Sequence, residues 1–273
     1  MPELATPPTS PQAESSALAS REEHELQGMS LLEHLEELRR RIIFSLLGIA
    51  GGFALCWAYA PKIFAYMQRP IMEALQRHKL DQTLIYLNPT EPFNLYLKVG
   101  LMAGLFVASP FVLFQVWSFV APGLYRNERR YVLPFMFSTV ALFVAGGLFG
   151  YFIAYPAALD FLIGYGEQFK PMITIGEYTD LFLTIIVGLG LIFELPILVF
   201  FLSLMGVVTA GWLWRNLRYS ILVIFIIAAI ITPTTDIVNM CVFAAPMIAL
   251  YLLSIGVAWL VHPRRRKASA QSP

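Results

Sequence analysis

The sequence predicts an all-α polytopic membrane protein with six transmembrane helices and both termini cytoplasmic. Three observations carry that reading. Of 273 residues, 58% are hydrophobic and only 14% charged, with a mean hydropathy of +0.65, whereas soluble domains run at about 45–50% apolar and about 25% charged. The apolar residues gather in six runs, 42–60, 93–117, 131–155, 181–205, 217–231 and 237–260. The cations are distributed unevenly between the two sides that those runs define.

The runs come first. A helix needs about 20 mainly apolar residues to cross the hydrocarbon core. Run 217–231 has 15 residues, which at about 1.5 Å per residue falls short of a core about 30 Å thick. It is still expected to cross, because Thr232, Pro233, Thr234, Thr235 and Asp236 make a polar turn and the sixth run returns. So short a hairpin implies local bilayer thinning or shielding by a partner.

Six crossings put both termini on one side. That side holds Arg21, Arg39, Arg40, Arg41, Arg126, Arg129, Arg130, Arg215, Arg218, Arg264, Arg265, Arg266 and Lys267, thirteen cations in all. The other side holds five, Lys62, Arg69, Arg77, Lys79 and Lys170. Positive charge stays on the cytoplasmic side, so both ends are cytoplasmic. The domain reading is a Pro-, Ser- and Glu-rich disordered tail over 1–28, a transmembrane domain over 29–262 and a basic tail over 263–273. The tail lacks the basic and apolar regions of a secretory signal.

Taken in order, the first helix begins at Leu31, since Ser30 and Glu33 make a capping box. It opens on HLEELRRR, residues 34–41, with Leu31, Leu35, Leu38 and Ile42 on one face. Two readings of its charges stand side by side. In one, Glu36 pairs with Arg40 and Glu37 with Arg41 along an interfacial helix. In the other, a carboxylate is held at the membrane surface for a cationic ligand. Segments 61–92 and 156–180 are rich in proline and predict short amphipathic pieces capping the bundle. Loop 118–130, SFVAPGLYRNERR, is broken by Pro122 and Gly123 and sets Glu128 among three arginines. The glycine pairs 48/52, 100/104 and 146/150 allow close helix approach.

Glu194 stands out, deep in span four within LIFELPILVF. A charged residue there costs about 2.5–3.5 kcal/mol on insertion scales, so it should face protein or a cavity. Pro196 cannot donate to the carbonyl of Ile192, which leaves a polar gap beside the carboxyl. Helix rise suggests Ser109 and Thr139 as neighbours at that depth. Asp236 and Glu91 each precede a span and read as helix caps.

Several function classes are excluded. Net charge is +1 and gives no basis for nucleic-acid binding. Cys56 and Cys241 lie inside apolar runs with no metal-like spacing, and there is no P-loop. The four histidines lie outside the spans, and no protease constellation exists. A small-solute secondary transporter using Glu194 is the alternative, weakened by the lack of an internal repeat.

HLEELRRR, FVAPGLYRNERR and FELP, in that order and at these spacings, resemble the TatC family of the twin-arginine protein translocase, from about Ser30 to Val261. The resemblance implies a concave bundle with two short final helices in the cell inner membrane. It implies a receptor for twin-arginine signal peptides, driven by the proton-motive force and needing no cofactor. The family's signal-peptide residues fall on Glu37, Arg39, Phe119, Pro122 and Glu128. Its intramembrane glutamate falls on Glu194, and its outer-face positions fall on Pro70 and Asp236. The turn reads TPTTD where the family pattern has a second proline. Implied partners are TatA- and TatB-type single-span proteins, membrane lipid and further copies of the chain.

Overall fold

The computed structural model describes residues 31–120, 132–166, 168–232 and 236–269. The tail over 1–28, Ser30 and most of loop 118–130 lie outside the described residues. The chain divides after Ile43 into two units, Met1–Ile43 and Phe44–Pro273. Described residues of the first unit are the start of helix α1 (Leu31–Trp57).

Two short helices follow, α2 (Ala60–Met67) and α3 (Arg69–Arg77). Then come α4 (Glu91–Val120) and α5 (Val132–Phe149), which passes through a π-turn at Gly150–Ala154 into α6 (Tyr155–Tyr165). The chain returns as α7 (Ile175–Ile192) and α8 (Leu195–Leu204). It ends with α9 (Ala210–Arg215), α10 (Leu217–Ile231) and α11 (Ile237–Ser269). Among the described residues, five segments are long and apolar enough to cross a membrane: Leu35–Trp57, Glu91–Phe119, Met136–Tyr165, Ile175–Leu204 and Ile237–Trp259. The sixth apolar helix, α10, has 15 residues.

Two expectations need correction. The last helix is not short, for α11 runs 33 residues and only α10 is truncated. Segment 156–180 is no separate cap either. Span three continues as helix to Tyr165 and span four starts at Ile175, because apolar residues carry on past Pro156. Pro156 follows directly on the π-turn at Gly150–Ala154, and the helix runs on through it to Tyr165.

Segment 61–92 does form short pieces, and they are positioned by backbone and tyrosine bonds. α3 buries Pro70, Ile71, Ala74 and Leu75 on one side. Ile85 pairs with the other connection through Ile85 N to Ile173 O (3.0 Å) and Ile175 N to Ile85 O (2.9 Å). Tyr178 of α7 donates to the carbonyl of Met67, and Tyr151 donates to that of Tyr66 at 2.8 Å. The core beneath holds Ile71, Leu75, Val99, Tyr155, Ile185 and Leu189, all buried.

Glycine sets the closest helix contacts. A Cβ on Gly52 would stand 2.5 Å from the carbonyl oxygen of Gly104, and one on Gly104 would stand 2.5 Å from the backbone nitrogen of Phe53. α1 and α4 therefore touch backbone to backbone. Gly146 does the same for α5 and α7, where a Cβ would lie 2.6 Å from the oxygen of Leu189.

Candidate functional site

Glu194 sits where span four breaks. Phe193 and Glu194 are turn residues between α7 and α8, and Glu194 occupies the N-cap position of α8. Pro196 brings no N–H to the carbonyl of Ile192. The backbone adapts, with Glu194 N reaching Leu191 O at 3.1 Å and both Ile197 N and Leu198 N meeting Glu194 O at 3.1 and 3.0 Å. The gap expected from FELP is therefore a local break in the helix.

Both carboxyl oxygens of Glu194 are shielded and meet no hydrogen-bond geometry among the described residues. The Thr139 hydroxyl is the polar side-chain group beside them. It is fully buried and likewise forms no hydrogen bond of regular geometry. Helix geometry explains the pairing. Gly146 holds α5 against α7 at Leu189, and Thr139 lies two turns along the same face of α5, toward the break. Ser109 is buried but donates to its own helix at Phe106 O, 2.8 Å. Beyond the break, α8 packs on α4 through Trp117 and Phe201, whose rings stack with centroids 4.3 Å apart.

The surface carboxylate Glu37 accepts from Arg41 Nη2 at 3.1 Å through one oxygen, Oε1. Both side chains are partly exposed, and Arg39 is exposed. Phe119 lies at the end of α4, one residue before Val120, and is half-buried. Pro122 and Glu128 lie outside the described residues. Pro70 is buried in the first turn of α3.

Asp236 caps α11. One carboxylate oxygen accepts from Asn239 N at 2.8 Å and the other from the Asn239 side-chain amide at 3.2 Å. Glu91 reaches back to accept from Leu87 N at 3.2 Å at the start of α4.

Sequence reasoning missed three groups. Lys98 of α4 forms an ion pair with Asp180 of α7. In the sequence Asp180 falls at the end of an apparent connection, which hides the pair; the hydropathy of 175–204 is the signal that reveals it. Tyr151 and Tyr178 bond to backbone carbonyls far away in sequence, and no motif announces such bonds.

Among the described residues, no group of three or more His, Cys, Asp or Glu is arranged to hold a metal ion. The profile of a family described as Sec-independent protein translocase protein (TatC) matches residues 33–246. The chain belongs to the TatC family. Membership extends over almost its whole length. A Koribacter versatilis protein named Sec-independent protein translocase protein TatC is 70% identical over 258 residues, 94% of this chain and 95% of that one. A TatC protein of Carboxydothermus hydrogenoformans is 37% identical over 237 residues, 86% of this chain and 95% of its own. A crystal structure of a twin-arginine translocase receptor, TatC, superposes with a TM-score of 0.74 at 35% identity, covering 84% of this chain and all of that one. TatC chains are translocase subunits, not enzymes, and this chain is a multi-span membrane protein.

Proposed function

We propose that this chain is the receptor subunit of a twin-arginine translocase, seated in the cytoplasmic (inner) membrane with both termini cytoplasmic. It binds Arg-Arg signal peptides of folded proteins and works with TatA- and TatB-type single-span partners, further copies of itself and surrounding lipid, driven by the proton-motive force. Family membership supports this reading, as does likeness to a solved protein named as the translocase receptor. It also removes the ground for the solute-transporter alternative.

One observation carries the chemistry. Glu37 already holds a guanidinium, that of Arg41, through a single oxygen at 3.1 Å. The second oxygen leaves room for an incoming arginine, whose planar fork pairs with carboxylates in a way lysine does not match. We assign Glu37 and Glu128 as the clamp for the twin arginines, with Arg39, Phe119 and Pro122 shaping it. Glu194, with Thr139 beside it and Ser109 nearby in depth, serves a later contact with a polar side chain inside the membrane. Pro70 and Asp236 are assigned to the outer face.

Photo-crosslinking of a signal peptide to this chain in membranes tests the reading. Arg-Arg peptides should label around Glu37 and Glu128, and Lys-Lys peptides should not. Equal labelling by both peptides would refute the clamp.

A further inference from the structure

Where α6 and α7 meet beside α3, they leave a half-open cavity of about 420 Å³, within the roughly 300–1,000 Å³ typical of small-molecule sites. Its walls run from Pro171 and Ile173 at the connecting segment down to Leu159 and Leu181. Those two leucines lie nearly two turns inside the ends of α6 and α7, about 9 Å at 1.5 Å per residue. The phenol on the wall, Tyr178, commits its hydroxyl to the Met67 carbonyl, so the lower cavity is apolar.

The mouth is acidic. Glu177, in the first turn of α7, lines it and is exposed. Glu91 lies just across Gly176, its Oε2 4.0 Å from where a Cβ on that glycine would stand. Lys170, between the lining residues Phe169 and Pro171, is exposed and 3.6 Å from Asp81. A carboxylate at the top and hydrocarbon walls below match the order of groups in a lipid whose head carries a cation. One flexible chain fits the cavity.

We propose that this cavity holds an acyl chain of a primary-amine phospholipid, phosphatidylethanolamine, with the ammonium paired to Glu177. An anionic headgroup such as phosphatidylglycerol faces repulsion from Glu177 at the mouth. This site is separate from the signal-peptide clamp and does not depend on it.

The test uses the full chain in liposomes that mix phosphatidylethanolamine and phosphatidylglycerol, with one or the other carrying a photoreactive acyl chain. Labelled peptides are then mapped by mass spectrometry. Labelling within 159–181 should favour phosphatidylethanolamine by about threefold, the scale of a partly exposed ion pair. Glu177→Gln should bring that ratio to about one while leaving total labelling in place. Leu162→Trp, at a half-open rim position, should remove labelling by either lipid. Labelling spread evenly over all lipid-facing helices would overturn the proposal. So would a headgroup preference that survives Glu177→Gln.

Discussion

The hydroxyl of Tyr151 donates to the carbonyl of Tyr66 at 2.8 Å. That carbonyl stands four residues before Pro70, which has no N–H to return to it. The bond ties the last turn of α2 to the third span. Tyr151→Phe should destabilise the protein by about 1 kcal/mol, the net worth of one hydrogen bond. In a Pro70→Ala background the cost should shrink, because the substituted alanine supplies a competing backbone donor. Thermal unfolding of the four proteins in detergent checks this; strictly additive losses would show that the two residues act apart.

Glu37→Ala should weaken signal-peptide binding by about tenfold, the loss expected for one charge-assisted hydrogen bond. Glu128→Ala should do the same, whereas Glu194→Ala should leave binding intact and impair export. Peptide binding and transport into vesicles, measured side by side, separate the two steps. Normal binding by the Glu37→Ala/Glu128→Ala double variant would sink the assignment.

Asp236→Ala removes both bonds to Asn239 and should cost about 1 kcal/mol of stability, as for other N-cap losses. Asn is also a good cap, so Asp236→Asn should stay near wild type in unfolding assays. If Asp236→Asn is stable yet fails in export, the charge itself has a role beyond capping.

Gly104→Ala must push α1 off α4, since its Cβ would stand 2.5 Å from the Phe53 nitrogen. The expected loss is about 1–3 kcal/mol, typical of overpacking. Gly51→Ala is the control, with nothing within 4 Å of its added carbon. Disulfide trapping between engineered cysteines on the two helices reports the separation.

Features governed by local rules can be read from the sequence. The break at Phe193–Glu194 follows from Pro196, and Thr139 beside Glu194 follows from helix rise and depth. The capping by Asp236 follows from its place before an apolar run. Contacts between distant segments cannot be read this way. Tyr151 reaches a carbonyl 85 residues away, and Lys98 reaches Asp180 across 82. A backbone carbonyl carries no residue identity, so the acceptor leaves no trace in the sequence. The lengths of the spans are obscured for a related reason: Pro156 looks like a stop, but the helix carries on past it through the π-turn at Gly150–Ala154.

The backbone contact between Gly52 and Gly104 has a consequence for biogenesis. α1 leaves the ribosome first, yet the surface it is shaped to meet is made only about 50 residues later. At about 5–20 residues per second, that leaves on the order of 3–10 seconds of waiting. Only 11% of the α1 span is buried even in the finished fold. The helix can thus rest among lipids as an independent stem, and docking needs only the meeting of two bare backbone ridges.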